Sequence, residues 1–159
     1  MTAGTDRVRH DAERRSIPIE IVERPRADSL EHAAELLGIT PAEIVKSLVV
    51  KRRDDTYLFA LVPGDRQISW PKLRAVVGVN KLRMPEAELA LAATGYARGT
   101  ITPLGSSTAW PVFADERIAG KRVSMGSGEH GYSVWVHTED LISGLDATVA
   151  DITIEGSTD

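Results

Sequence analysis

Residues 44–50, with the sequence IVKSLVV, predict a buried β-strand that carries one charged side chain. Because side chains alternate across a strand, Lys46 shares a face with Leu48 and Val50. A lysine on an apolar face costs free energy unless an anion meets it. Lys46 therefore either pairs with a carboxylate of its own chain, for instance Asp65 or Asp115, or belongs to a site that binds an anionic ligand.

The segments around this strand predict a fold of mixed helices and strands. A turn at 53–56 and a strand at 57–62 place Lys46 in one arm of a β-hairpin. Capping signals predict helices that begin near Ser29, Trp70 and Pro85. Strands and helices do not alternate in a regular βαβ repeat, so we expect a single compact α/β (α+β) domain with a mixed, curved sheet and flanking helices.

Length and composition fit one ordinary globular domain of 159 residues. We expect a flexible N-terminal segment over 1–16, a domain over 17–152 and a C-terminal tail over 153–159. The absence of cysteine excludes disulfides, thiolate metal sites and a cysteine nucleophile. No apolar run approaches the roughly 18 residues of a membrane span, and the N-terminus has no secretory apolar core. The sequence therefore predicts a cytoplasmic protein that does not contact a membrane.

The net charge of −4 is unevenly distributed along the chain. Residues after Arg122 include seven acids and no lysine or arginine, so residues 1–122 carry 19 basic and 16 acidic groups, a net of +3. The pI of 5.6 argues against broad nonspecific nucleic-acid binding. A local basic rim around a site and a merely solvated surface are both compatible with this pattern. The candidate rim consists of Lys51, Arg52, Arg53, Lys72, Arg74, Lys81, Arg83 and Arg98.

Two glycine-rich segments stand out, at 99–105 and 126–131. The second matches G-x-G-x-x-G, but residues 132–136 alternate like a strand, whereas a dinucleotide site needs a helix there. Each loop could be a plain connection or a place where a ligand approaches the backbone. The four histidines have no metal-ligand spacing, and no serine occupies a G-x-S-x-G elbow, so we expect neither a metal, a cofactor nor a serine triad.

These elements together resemble the YbaK family of aminoacyl-tRNA deacylases, also called the prolyl-tRNA-synthetase-associated domain. The resemblance extends over about residues 17–152. It rests on Lys46 within its strand, on Thr94-Gly95-Tyr96 leading into Gly99–Gly105, on Gly126–Gly128, and on the ending around Leu145 and Asp151. It implies a trans-editing hydrolase that removes a wrongly attached amino acid of the Ala, Cys or Ser class from tRNA by ester hydrolysis.

The same resemblance assigns roles to individual residues. It implies catalytic roles for Lys46, Gly99 and Pro103, with Lys46 as an electrostatic anchor for the tRNA 3′ end. The order Gly126-Ser127-Gly128 departs from the serine-glycine-glycine order of better-known members, and His130 lies where alanine-editing members use a histidine. Residues implied to bind substrate are Thr100, Ile101, Thr102, Gly126, Ser127, Gly128 and His130.

Two further expectations concern partners and turnover. The implied partner is an aminoacyl-tRNA, with a prolyl-tRNA synthetase or another translation component as a second candidate. The alternative function is a non-catalytic aminoacyl-tRNA-binding or nucleotide-binding protein of the same fold with a regulatory role. The changed serine–glycine order keeps this alternative open.

Overall fold

The computed structural model describes residues 3–156, which form a seven-stranded mixed sheet packed between helices and a second sheet of two strands. The helices are α1 (Gly4–Arg14), α2 (Leu30–Leu37), α3 (Trp70–Val77), α4 (Ala87–Thr94) and α5 (Thr138–Leu145). The strands are β1 (Ile19–Glu23), β2 (Ile44–Lys51), β3 (Tyr57–Pro63), β4 (Arg66–Ile68), β5 (Val112–Asp115), β6 (Arg122–Met125), β7 (Tyr132–His137), β8 (Thr148–Ala150) and β9 (Thr153–Glu155).

Seven strands form the main sheet in the order β1-β7-β6-β2-β3-β5-β8. The pairs β1–β7, β6–β7 and β2–β3 are antiparallel, whereas β2–β6, β3–β5 and β5–β8 are parallel. Strands β4 and β9 form a separate antiparallel pair. The mixed α/β sheet and the hairpin arm that contains Lys46 are therefore confirmed.

Each face of the sheet buries its own apolar cluster, as the alternation of β2 requires. Val45 and Val49 point into the larger cluster, which includes α1, α4 and α5. Val50 and the partly buried Leu48 point into the smaller one, which packs on α3. Lys46 has the parity of this second face, as predicted.

Residues 4–14 form a packed helix, which corrects the expectation of a flexible N-terminal segment. Val8 and Ala12 are one turn apart and are 0% and 1% exposed, so this otherwise polar segment has one apolar side that enters the larger cluster. At the other end, β9 pairs with β4, so residues 153–155 are part of the fold rather than a tail. Residues 1–2 and 157–159 lie outside the described part of the chain.

An acidic residue near the C-terminus connects the smaller sheet to α3. Asp151 accepts hydrogen bonds from Arg117 at 2.8 Å and Lys72 at 2.9 Å. The bond from Arg117 is the main reason why the pKa of Asp151 falls to about 2. Asp115, one of the two carboxylates considered as partners of Lys46, is fully buried and bonds Arg117 and Thr153 instead.

Candidate active site

A gap opens in the sheet between β2 and β6. β2 pairs with β3 along seven residues, but with β6 only at Ile44 and Val45. Further along β2, Lys51 exchanges two backbone hydrogen bonds with Arg83, at 2.8 and 3.2 Å, on the edge that faces away from β3. By the alternation of an antiparallel ladder, residues 47 and 49 direct their N–H and C=O groups towards the same edge. Within residues 3–156 no strand pairs with them there, so the gap offers unpaired backbone donors and acceptors.

A pocket of about 560 Å³ occupies this gap. Both faces of β2 contribute to it, because the sheet is interrupted and Lys46 and Ser47 can line the same cavity from opposite sides. The other walls come from α2, from the start of α4 and from the two glycine-rich loops. The site residues that line it are Lys46, Gly99, Ile101, Gly126, Ser127 and His130.

Lys46 is partly buried in the pocket and forms no ion pair among the described residues. Its ammonium group donates a hydrogen bond to the backbone carbonyl of Arg66 in β4, which holds the side chain in place. Burial lowers the pKa of Lys46, and the more distant carboxylates of Asp65 and Glu31 only partly oppose this effect. The internal salt bridge to Asp65 or Asp115 is therefore not formed, and the cation remains available to an anion.

Ser47 was not singled out from the sequence, yet it contributes a polar atom to the site. Its hydroxyl oxygen is buried and has no hydrogen-bond partner within residues 3–156. A buried hydroxyl without a partner costs free energy, and such groups are uncommon in folded proteins. The signal was present in the sequence, since Ser47 interrupts an apolar run directly after Lys46.

The loop at 99–105 is held rigid by its own side chains. The Thr100 hydroxyl donates to the Ala97 carbonyl at 2.7 Å, and the Thr102 hydroxyl accepts from the Leu104 amide at 3.2 Å. Both threonines are buried, as is Pro103. These three residues and Gly128 are not among the residues that line the pocket. Their roles in catalysis and substrate binding stay predictions.

The two glycine-rich loops contact each other directly. The Gly128 amide donates to the Thr100 carbonyl at 2.8 Å. A Cβ atom on Gly126 would lie 2.5 Å from the Ile101 carbonyl oxygen, so only glycine permits this approach. His130 follows on the pocket side, where its Cε1 atom lies 3.5 Å from the position that a Cβ on Gly99 would occupy.

Ser127 uses its hydroxyl inside its own loop. It donates to the carbonyls of Glu129 at 2.7 Å and Tyr132 at 3.0 Å, and the residue is only 1% exposed. The residue therefore lines the pocket while its hydroxyl fixes the turn.

Helix α1 braces both loops from outside the pocket. Arg7 donates to the carbonyls of Thr94, Gly95 and Gly105 at 3.2, 3.2 and 2.6 Å, and its guanidinium lies 4.5 Å from the centre of the Tyr96 ring. This network anchors the loop at 99–105 on the side that faces away from the pocket.

Two carboxylates complete this brace. Asp11 accepts from the Gly105 amide at 2.8 Å and is also bonded by Arg14 and Arg15. Burial opposes its ionisation, but these hydrogen bonds outweigh burial and lower the pKa of Asp11. At the start of the helix, the Thr5 amide and hydroxyl each donate to Glu129 at 3.2 Å, which ties the second loop to the same helix.

Buried Tyr96 connects the brace to the first loop. Its hydroxyl donates to the Leu104 carbonyl at 2.7 Å. Burial raises the pKa of Tyr96 to about 12, so the phenol remains protonated and remains a donor.

Within residues 3–156, no group of three histidine, aspartate or glutamate side chains is arranged to hold a metal ion, and no helix is long and apolar enough to cross a membrane.

The sequence profile of the aminoacyl-tRNA editing domain matches residues 24–143, the part of the chain that contains the gap, Lys46 and both loops. The chain belongs to the aminoacyl-tRNA editing domain family. The profile begins after α1, so the helix that braces the loops lies outside the matched region.

Named relatives and solved structures agree with this family. A proline–tRNA ligase of Thermosipho africanus is 42% identical over 88 residues, 55% of this chain and 16% of the ligase, so the chain spans about one sixth of such ligases. A protein of Enterococcus faecalis named "Putative Cys-tRNA(Pro)/Cys-tRNA(Cys) deacylase EbsC" is 29% identical over 79% of this chain and 77% of its own length. A crystal structure titled as a "putative trans-editing enzyme for prolyl tRNA synthetase" superimposes with a TM-score of 0.87 at 27% identity, covering 99% of each chain.

Proposed function

We propose that this editing domain hydrolyses the ester between a small, wrongly attached amino acid and the 3′ end of a tRNA, acting in trans. The observation that carries the proposal is Lys46, a partly buried cation without a carboxylate partner that lines a pocket between two glycine-rich loops. The family and the names of its relatives support the same reaction. The cytoplasm, where tRNA is charged and used, is the location that we propose.

The geometry suits a hydrolysis in which water is the nucleophile. The ammonium group of Lys46 binds a phosphate of the terminal nucleotides and so fixes the ester in the gap. The oxygen of the attacking water forms a bond to the ester carbonyl carbon, the bond from that carbon to the ribose oxygen breaks, and the proton that the water gives up passes to the ribose oxygen, which leaves the free amino acid and the tRNA. Backbone N–H groups at the edge of β2 stabilise the negative charge that develops on the carbonyl oxygen. Lys46 acts as an electrostatic partner and not as a nucleophile.

The substrate that we propose is a small amino acid in the Ala, Cys or Ser class. Ala33 of α2, Ala87 and Ala90 of α4 and Ser47 of β2 are among the residues that line the pocket. A hydrophobic pocket discriminates one methylene by only about 1–3 kcal/mol, which is why a second, smaller site is useful for removing errors. His130, beside Gly99, is the residue that we expect to adjust the choice within this class, with alanine favoured.

The test is a hydrolysis panel with Ala-, Cys- and Ser-tRNA as substrates, with and without prolyl-tRNA synthetase. Wild-type protein is compared with Lys46→Ala and with Lys121→Ala, a lysine that does not line the pocket. If wild-type protein hydrolyses none of the substrates, the proposed hydrolytic activity is refuted. If Lys46→Ala is fully active, the activity stands but the role proposed for Lys46 is refuted. A dependence on the synthetase would make it the partner that delivers the tRNA.

A non-catalytic aminoacyl-tRNA-binding protein is the second candidate. It is favoured by the hydroxyl of Ser127, which is bonded within its own loop and unavailable to a ligand. Binding and cleavage measured in parallel distinguish the two functions. A non-catalytic protein would bind a stable amide-linked analogue of aminoacyl-tRNA but would not cleave the ester.

A further inference from the structure

Arg7 of α1 bonds both ends of the first glycine-rich loop. Its guanidinium group donates to the carbonyls of Thr94 and Gly95, each at 3.2 Å, where the chain enters the loop. It also donates to the carbonyl of Gly105 at 2.6 Å, where the chain leaves the loop. One side chain therefore supplies three hydrogen bonds at the base of the segment 95–105. We call these three bonds the Arg7 clip.

Other residues of α1 contact the same two loops. Asp11 lies four residues after Arg7, on the same side of the helix, and accepts from the Gly105 amide at 2.8 Å. At the start of the helix, Thr5 bonds Glu129 of the second loop, and a Cβ atom on Gly4 would overlap the Gly128 carbonyl. One helix therefore holds the bases of both loops that border the pocket.

The contact between α1 and the loops is separate from the contact that holds α1 on the protein. Val8 and Ala12 are the buried apolar residues of the helix, and they enter the larger cluster. Arg7 is not among the residues that line the pocket, whereas Gly99 and Ile101, inside the clipped segment, are. The Arg7 clip therefore acts on the wall of the pocket from behind and does not meet the ligand.

We infer that Arg7 is a positioning residue for the hydrolysis, which fixes the first loop relative to the second; this inference rests on the proposed function. The side chains of Thr100 and Thr102 hold the loop rigid inside, so a shift at its base moves Gly99 and Ile101 together. Binding through Lys46 does not depend on the clip, whereas the chemical step depends on the geometry around the ester. Loss of the clip should therefore lower kcat and leave KM nearly unchanged.

The test compares Arg7→Ala with Arg9→Ala, a matched arginine of the same helix that is exposed and bonds Asp6. Both are assayed on mischarged tRNA and on the same aminoacyl ester carried by a CCA trinucleotide. We expect Arg7→Ala to lose about 30–100-fold in kcat on both substrates, with KM within about twofold of wild type. Arg9→Ala should stay within about twofold in both constants. Millimolar guanidinium ion should restore part of kcat in Arg7→Ala alone, because it can take the place of the missing group.

Two further measurements separate positioning from stability. Val8→Ala removes a buried apolar contact of α1 but leaves the clip intact, so its unfolding midpoint should fall by about 3–10 °C while its kcat stays within about twofold of wild type. In Arg7→Ala, amide hydrogen exchange of residues 95–105 should be faster than in wild type, and that of β2 should be unchanged.

The outcomes separate the inference from the function on which it rests. Wild-type protein that cleaves neither substrate removes the proposed function and the inference together. Wild-type protein that cleaves them, with Arg7→Ala unchanged in kcat or in the exchange of 95–105, overturns the inference alone. An equal loss of kcat in Val8→Ala, a loss that appears only in KM, or no recovery with guanidinium also overturns it. If Arg7→Ala does not fold, Arg7→Lys replaces it: lysine keeps the charge but lacks the planar fork of donors, and a wild-type kcat in this variant overturns the inference.

Discussion

Gly126→Ala separates the two glycine-rich loops and so tests whether their spacing matters for hydrolysis. Gly126 has no left-handed backbone angle, so the substitution acts through space alone. The new Cβ would lie 2.5 Å from the Ile101 carbonyl oxygen and 3.2 Å from that of Thr100. Because ordinary contact begins at 3.4 Å, the loops must separate by 3.4 minus 2.5, or 0.9 Å.

Both stability and activity should fall by amounts that follow from this displacement. Overpacking costs about 1–3 kcal/mol, and a weakened hydrogen bond from Gly128 to Thr100 adds about 1 kcal/mol. In a domain of this size, the sum of roughly 2–4 kcal/mol lowers the unfolding midpoint by about 5–15 °C. A misplacement near 1 Å in a catalytic site costs about 100-fold, which is the expected loss in kcat/KM on mischarged tRNA.

The assay is deacylation at a temperature where both proteins are folded, with thermal unfolding recorded in parallel. Gly78→Ala is the matched control: its φ of 82° strains the backbone, but no atom lies within 4 Å of the new Cβ. We expect this control to lose stability while its kcat/KM remains within about twofold of wild type. Gly126→Ala with wild-type kcat/KM would refute the claim that the contact between the loops positions the ester.

Three further substitutions test other parts of the structure. Lys46→Met should lower kcat/KM at least about tenfold while the unfolding midpoint stays within about 3 °C, because a partly buried cation is replaced by an apolar chain of similar length; a kcat/KM equal to that of wild type would contradict a role in binding. Asp151→Asn should be destabilising above pH 3.8, and the difference in unfolding midpoint from wild type should shrink as the pH falls from 3.8 and vanish below about 2, since the lowered pKa of Asp151 makes its carboxylate stabilising only while ionised. A difference that does not shrink between pH 3.8 and pH 2 would remove this explanation. Tyr96→Phe should destabilise by about 1–3 kcal/mol in chemical denaturation, because the buried Leu104 carbonyl loses its donor; an unchanged midpoint would exclude that loss.

Several elements of the fold could be predicted from local patterns in the sequence. Ser29 caps the start of α2 as predicted, with its hydroxyl accepting a hydrogen bond from the His32 amide, and Gly38 ends the helix at a φ of 71°. The strand predicted after Gly131 is β7, which excludes the helix that a dinucleotide site requires. The hairpin of β2 and β3 was predicted because its two strands are close in sequence and strongly apolar.

Other features depend on contacts between distant residues and could not be predicted from local patterns. Helix α1 is rich in charge, and its apolar side consists of little more than Val8 and Ala12. It is stable because Arg7 and Asp11 bond a loop more than 80 residues away. The gap between β2 and β6 likewise arises from a short parallel pairing, which no periodicity in either strand reveals.

The reach of α1 has a consequence for the order in which the protein matures during synthesis. Helix α1 precedes its partners in the chain, since Gly95, Gly105 and Glu129 follow 88, 94 and 124 residues after the residues that bind them. Such non-local contacts form late in folding, because a long loop must close before they contribute. A nascent chain that has emerged only as far as the second glycine-rich loop cannot yet hold both loops in register. The bonds that tie both glycine-rich loops to α1 therefore form only after the segment that contains Glu129 has been made.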